Sequence, residues 1–302
     1  ACPRWSGRAV TARSRPGGRR AGHWVWRGRR GTNGKTVSPG AGVSRKTTCR
    51  HGALEGPPEG PLVEAEWLRA HRNEVIVLDA SVGRMARPGG APDFVSGQDA
   101  FRREHVPGAR LADPFGGFSE PPAPFAFTCP RIAKLEAEAR RIGIRKDSRV
   151  VVYDRLGGAY AARVWLLFRQ CGFDRAHVLN GGLAAWVGAG GVLENGPESA
   201  VPAGDFIATP TPSLFVSTGE VERLVASGDP RHSPLICGLR RTQFSAGDSD
   251  DPRLGHIPGS LNLPYAELLD DQGRLDAVRL ENALAALGLG SDFGRQTTPV
   301  LY

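Results

Sequence analysis

A two-domain α/β protein, each domain a parallel sheet flanked by helices and the second one incomplete, follows from three features of this 302-residue sequence. The first is an internal repeat. Glu104-His105-Val106-Pro107-Gly108-Ala109 returns as Gly255-His256-Ile257-Pro258-Gly259-Ser260. The second is the shared context of the two copies. Upstream of each lies a short apolar run, Val75–Asp79 and Leu235–Cys237, and downstream of each lies another, Val150–Tyr153 and Pro299–Tyr302. Tyr153 follows His105 by 48 positions and Tyr302 follows His256 by 46. A unit this long is a duplicated domain rather than a solenoid repeat of roughly 20 to 50 residues. The third feature is the alternation of continuous apolar runs with helical stretches, the rhythm of parallel βα units. Length alone agrees, at about 150 residues per domain.

The folded part begins near Pro61. Leu62–Leu68 reads as a short amphipathic helix that feeds a strand over Val75–Leu78, and residues 83–100, containing Gly and Pro, read as loop. In each His-x-Pro-Gly turn Pro fixes φ and Gly permits a positive one. Pro130 to Arg141 reads as a helix with Pro at its first turn and Gly143 after its end. Val150–Tyr153 is apolar throughout, as a strand buried on both faces should be. Asp154 to Tyr160 form a Gly-bearing loop, and Ala161 to Cys171 form a helix with Val164, Trp165, Leu167 and Phe168 on its apolar face. His177–Leu179 is a further strand, and Leu183–Trp186 opens another helix. Residues 195–212, with several Pro, Gly and Ser, read as a linker between a first domain at 61–194 and a second at 213–302. Ser217 is the expected N-cap of a helix over 218–227.

The net charge of +8 misleads if taken whole. Residues 1–54 hold thirteen Lys and Arg and no acid, which leaves the rest of the chain at −5. Residues 1–58 therefore read as a disordered basic arm. Three roles compete for it: a targeting peptide, which would make the protein mitochondrial rather than cytoplasmic; a nucleic-acid arm with Arg27, Arg29 and Arg30 on phosphates and Trp24 and Trp26 on bases; and upstream sequence with no function. The third carries most weight, so no nucleic acid is expected as a partner. No apolar run approaches the roughly 18 residues of a membrane span. Five cysteines without a C-x-x-C pair argue against a disulfide framework or a structural zinc site. The spacing of Cys2, His23, Cys49 and His51 matches no metal pattern.

In a parallel α/β sheet, ligands gather beyond the carboxyl ends of the strands. A short loop entering a helix there offers free backbone N–H groups and the positive end of the helix dipole to an anion. A Cys heading such a loop has its thiolate stabilised and becomes a sulfur nucleophile. In the first copy the head of the loop is Asp154, whose carboxylate fills the anion position with its own charge. The matching position in the second copy is the one directly after Tyr302.

The chain resembles the tandem rhodanese-type sulfurtransferases, which include thiosulfate and 3-mercaptopyruvate sulfurtransferases. The resemblance spans about residues 61–302 and rests on Val77-Leu78-Asp79-Ala80-Ser81, the two His-x-Pro-Gly turns, Val151-Val152-Tyr153-Asp154, Ala161–Trp165, Val178–Trp186 and Ser260-Leu261-Asn262-Leu263-Pro264. It implies two rhodanese-like domains, the first non-catalytic, and a catalytic Cys at the head of the second loop, expected immediately after Tyr302. It also implies transfer of sulfane sulfur from thiosulfate or 3-mercaptopyruvate, through a Cys persulfide, to cyanide or to a thiol acceptor such as thioredoxin, with no cofactor and no metal. Family Arg side chains that hold the donor anion are only partly present. The Asp-Ala-Arg after the strand reads Cys237-Gly238-Leu239, the Arg-Phe pair reads Gln243-Phe244, and only Arg253 stands where a donor-binding Arg belongs. Arg240 and Arg241 are substitutes if the register slips. As printed, the chain is expected to be inactive and, with part of its second sheet missing, poorly soluble. The competing reading is a non-catalytic tandem module that binds a protein partner.

Other tempting residues read as structural. His105 and His256 recur in a copy whose loop carries Asp, which points to holding the turn. Cys237 reads as a buried strand thiol and Cys171 as core. Arg163 is expected to pair with a buried acid such as Asp79.

Overall fold

A computed structural model describes residues 25–27, 60–86, 93–120, 127–209, 211, 214–228, 233–245, 255–290, 293 and 298–302. In chain order the elements are β1 (Val25–Arg27), β2 (Leu62–Val63), α1 (Ala65–Ala70), β3 (Ile76–Asp79), β4 (Val82–Met85), β5 (Asp93–Ser96), α2 (Gln98–Arg103), β6 (Arg110–Leu111), α3 (Ile132–Arg141), β7 (Val150–Tyr153), α4 (Ala159–Gln170), β8 (Ala176–Leu179) and α5 (Gly182–Gly188). The second half adds β9 (Phe215–Val216), α6 (Thr218–Ser227), β10 (Leu235–Cys237), α7 (Arg241–Ser245), β11 (Leu261–Asn262), α8 (Ala277–Ala286) and β12 (Val300–Leu301).

Each half builds a five-stranded sheet. The first runs β2-β8-β7-β3-β6, parallel throughout. The second runs β9-β1-β12-β10-β11, with β12-β10-β11 parallel. Apolar side chains of β3 and β7 alternate between two cores. Leu78, Val150 and Val152 pack with α3 and α4 through Leu135, Ala139, Val164 and Phe168. Val77, Val151 and Tyr153 pack on the other face with Trp67, Leu68, Leu183 and Trp186. Burial on both faces explains why β7 is apolar at every position and β3 is apolar up to its final Asp79.

Several elements differ from the sequence reading. Leu62–Val63 is a strand, paired with Val178–Leu179, and the helix starts only at Ala65. The stretch read as loop over 83–100 contains an antiparallel pair, β4 with β5, and the helix α2. The close approach of the two strands at Gly83, where a Cβ would lie 2.9 Å from Val95 Cγ2, leaves room for no larger residue and hides the strand pattern. Of the basic arm, residues 1–24 and 28–58 lie outside the described residues, and Val25–Arg27 forms a strand antiparallel to both β12 and β9. A β-branched residue beside Trp suits a pleated strand despite the basic surroundings. The segment read as linker is held against the first half: Phe206 is fully buried in the first core, Arg140 Nε donates to Phe206 O at 2.7 Å, and Thr209 N donates to Cys171 O at 2.8 Å. The helix over Thr218–Ser227 has Ser217 as N-cap in a complete capping box with Glu220. No helix among the described residues is long and apolar enough to cross a membrane.

Candidate active site

β7 ends at Tyr153, and the chain turns through Asp154–Gly158 into α4. Gly157 and Gly158 both take positive φ, 73° and 86°, which lets the backbone fold back on itself before the helix. That fold aims four N–H groups at one point. Asp154 Oδ1 accepts from Leu156 N at 2.7 Å and Gly158 N at 2.9 Å; Oδ2 accepts from Tyr160 N at 2.9 Å and Ala161 N at 3.0 Å. The carboxylate is 1% exposed. The loop is an anion cradle, and in this half its anion is part of the chain. Behind it, Asp154 O accepts from Leu183 N at 3.0 Å, and Gly182 must be Gly because a Cβ there would run into the same carbonyl oxygen.

The second half repeats the scaffold up to the head of its loop. Tyr153 O accepts from Ala80 N at 2.8 Å, and Tyr302 O accepts from Gly238 N at 2.8 Å. Ala112 N donates to Asp79 O, and Leu263 N donates to Cys237 O, both at 2.9 Å. The Tyr153 hydroxyl accepts from Val106 N at 3.1 Å in the first His-x-Pro-Gly turn, and the Tyr302 hydroxyl accepts from Ile257 N at 2.9 Å in the second. Tyr302 adds a 2.6 Å bond with Ser260 Oγ. The carboxyl end of Tyr302 therefore occupies the place in its sheet that the Tyr153–Asp154 junction occupies in the first.

The two histidines do the same work in both halves. His105 stacks on Phe101, ring centroids 3.9 Å apart, and its Nδ1 bonds Phe101 O at 2.8 Å. His256 stacks on Phe244 at 3.8 Å with its Nδ1 2.8 Å from Phe244 O. Each ring is fixed on the chain that leads into the turn, and the Phe partners, four and twelve residues upstream, are a part of the repeat that the sequence comparison overlooked.

Cys237 and Asp79 are counterparts, each at the end of a strand beside the Tyr. Asp79 is fully buried; Ser81 N donates to its Oδ1 at 2.8 Å, and its Oδ2 lies 3.6 Å from Arg155 Nη2. Burial pushes its carboxyl above the ordinary carboxylate range, against the pull of Ser81, the Tyr153 hydroxyl and the Arg155 charge. The expected partner, Arg163, is elsewhere. It lies 5.7 Å over the Phe127 ring, with Nη2 3.5 Å from Thr128 O. Arg155 takes the role because it sits in the loop at the end of the sheet, where Asp79 also ends its strand, whereas Arg163 lies further along α4. Arg155 also bonds Glu104 Oε1 at 2.9 Å, tying the loop to the residue before His105. Burial, with a contribution from the neighbouring Cys237 thiol, pushes the Tyr302 phenol up to about 12. Cys171, in the first core, is likewise pushed up to about 12.

Of the donor-binding candidates, Arg253 falls outside the described residues. Arg241 is engaged in a bidentate pair with Glu267, at 2.7 and 2.6 Å. The Arg240 side chain is exposed on the preceding residue. Among the described residues no group of three or more His, Cys, Asp or Glu side chains could hold a metal ion.

Comparison with known proteins places this geometry in a family. The rhodanese-like domain family matches residues 93–189. The 3-mercaptopyruvate sulfurtransferase of Escherichia coli (strain K12) is 32% identical over 227 residues, covering 72% of this chain and 77% of that protein. A probable 3-mercaptopyruvate sulfurtransferase of Pseudomonas aeruginosa is 34% identical over 233 residues, covering 75% and 78%. The crystal structure of SseA from Escherichia coli, described as a 3-mercaptopyruvate sulfotransferase of the rhodanese fold, aligns with a TM-score of 0.63 at 29% identity, covering 77% of this chain and 86% of that one. With its paired Tyr–His-x-Pro-Gly scaffolds and these relatives, the chain belongs to the rhodanese-type sulfurtransferase family.

Proposed function

We propose that the protein moves sulfane sulfur from thiosulfate or 3-mercaptopyruvate to cyanide or a thiol such as thioredoxin, through a Cys persulfide at the position directly following Tyr302. Residues 61–194 then form a non-catalytic rhodanese-like domain, residues 195–212 join it to the second, and residues 213–302 bring the second domain up to its active-site loop. The observation that supports this reading is the shared placement of Tyr153 and Tyr302, because a residue following Tyr302 would then correspond to Asp154, which receives four N–H bonds. A cradle of that kind stabilises a thiolate and then the terminal sulfur of a persulfide. In the first half-reaction the thiolate attacks the transferable sulfur and an S–S bond forms, while the bond that held that sulfur breaks, S–S in thiosulfate with sulfite leaving or C–S in 3-mercaptopyruvate with the pyruvate enolate leaving and taking up a proton. In the second, an acceptor nucleophile takes the outer sulfur and the thiolate returns. Donor anchoring falls to Arg253.

The test is to sequence and assay the intact gene product. A Cys at the first position after Tyr302, a sulfur-mass adduct on it after incubation with 3-mercaptopyruvate or thiosulfate, and loss of transfer in its Ser variant are the expected results. Any other residue there ends the catalytic reading. One observation favours the alternative of a partner-binding module. Leu239 and Gln243 stand where the family carries Arg, and Arg241 is neutralised by Glu267. A chain with Cys after Tyr302 but without transfer from either donor would establish that alternative.

A further inference from the structure

At its carboxyl end the first sheet makes two bends. β7 enters α4 through the loop that holds Gly157, and β8 enters α5 through Asn180-Gly181. In a parallel sheet this is the end where ligands gather. Here one segment of the second half occupies both bends. A Cβ on Gly157 would lie 2.8 Å from Leu269 Cδ1, and a Cβ on Gly181 would lie 2.7 Å from Arg274 Cγ. Beside them Leu275 N donates to Asn180 Oδ1 at 2.8 Å, and Asn180 Nδ2 donates to Glu64 Oε1 at 2.9 Å.

We infer that the ligand end of the first sheet serves as a socket for the second half, that the turn Leu269–Leu275 is its plug, and that Asn180 is the residue that couples the two halves. The plug holds its own shape. Leu269 and Leu275 bridge each other, and Asp270 N donates to Arg274 O at 2.8 Å. The Asp270 carboxylate accepts from Gln272 N, Arg274 N and Arg274 Nε, each at 2.9 Å. The plug is also anchored in its own half: Arg279 donates to Leu269 O, Asp276 N donates to Leu268 O at 2.9 Å, and Leu275 packs on the core of Ile236, Leu263 and Leu268. A preorganised element loses little freedom on contact. The socket is shaped by the side chains it lacks, because anything beyond Gly at 157 or 181 would take the place of Leu269 or Arg274. Asn180 suits the joint because its amide accepts from one half and donates to the other at the same time. A carboxylate there would oppose Glu64, and an apolar side chain would leave Leu275 N and Glu64 Oε1 without this partner. The first loop fits the same assignment, since Asp154 fills its anion position from within and Leu269 covers Gly157 from outside. The segment that carries the plug starts at Tyr265, whose N donates to Gly238 O at 3.1 Å just past β10. The joint therefore links the carboxyl end of one sheet to the carboxyl end of the other, whatever chemistry the second half carries.

Hydrogen exchange on the 302-residue chain, read by peptide mass spectrometry, tests the joint from both sides. Asn180→Ala is expected to speed exchange roughly tenfold in peptides covering Leu275–Arg279 of the second half, and Leu269→Ala to speed it severalfold in peptides covering Leu156–Ala161 of the first. Peptides covering Val164–Gln170 and Val221–Ser227, away from the joint, keep the parent rate. The double variant adds little at either place, because one substitution already frees the plug. Faster exchange confined to the half that carries the substitution overturns the inference, and so do fully independent effects in the double variant. If Asn180→Ala does not fold, Leu269→Ala decides alone, and parent-like exchange over Leu156–Ala161 then refutes the joint.

Discussion

Replacing Asp154 by Ala empties the cradle without changing the loop glycines. Four backbone N–H groups then lose their acceptor. Hydrogen bonds to a charged group are worth about 1.5–3 kcal/mol each, but they do not add, and donors that water can reach recover much of the loss. Leu156 is partly exposed, so the donors at the mouth of the loop rehydrate; Ala161 is fully buried at the first turn of α4, and Tyr160 N lies beside it. Counting those two inner donors as the ones left unpaired gives about 3–5 kcal/mol. Asp154→Asn separates charge from shape. Its amide oxygen can serve Leu156 and Gly158, but its NH2 then faces the Tyr160 and Ala161 donors, which predicts a loss of about 2–3 kcal/mol. The assay is urea unfolding followed by far-UV circular dichroism, with midpoint shifts converted through the common slope. The Ala variant should fall furthest, and exchange should rise first in the N-terminal turn of α4. A loss below about 1 kcal/mol for both variants would refute the view that the carboxylate completes this loop.

Further outcomes follow from the same geometry. Tyr153→Phe removes the acceptor for Val106 N and should destabilise the chain by about 1–3 kcal/mol in the same unfolding assay. His105→Ala, which loses both the Phe101 stack and the Nδ1 bond, should cost about 1–3 kcal/mol. Asp79 predicts a pH dependence. Its folded carboxyl titrates above the unfolded one, so its favourable contribution is full below the unfolded value and is lost as pH rises through the folded value. Asp79→Asn should therefore gain on the parent in thermal melts as pH is raised from about 4 to about 7, and a constant difference between the two would contradict it. With its thiol pushed up to about 12 and buried, Cys171 should resist iodoacetamide at mildly alkaline pH until the chain is denatured, as read by peptide mass spectrometry.

What could be read from the sequence was what is decided locally or by repetition. The Ser217–Glu220 capping box lies within four residues, and Val150–Tyr153 declares its burial by being apolar at every position. The errors arise where a partner distant in sequence makes the decision. Leu62–Val63 looks continuous with α1 until Val178–Leu179 pairs with it, and Val82–Met85 acquires strand character from Asp93–Ser96. Val25–Arg27 is submerged in the composition of its surroundings, and only its pairing with β9 and β12 identifies it. Charge partners behave likewise: Arg155 and Arg163 are equally plausible for Asp79 in one dimension, and only the loop geometry separates them.

The least legible feature is the one that distinguishes the two halves chemically. Position by position the halves share a Tyr on the turn, a His on its Phe and a Gly at the bend, yet their sheet ends differ in charge. In the first half two buried carboxylates, Asp79 and Asp154, lie at adjoining strand ends, balanced by the cradle N–H groups and by Arg155. In the second half Cys237 replaces Asp79, so the strand beside Tyr302 ends on a buried Cys instead of a second buried carboxylate. Without a carboxylate at that strand end, a thiolate or persulfide on the residue proposed to follow Tyr302 escapes the opposition that an Asp there would offer, which favours its ionised form. On this argument the substitution at Cys237 is compatible with sulfur chemistry in the second half. The departures at Leu239 and Gln243 are not offset in that way, so they, rather than Cys237, are where an impaired donor site would originate.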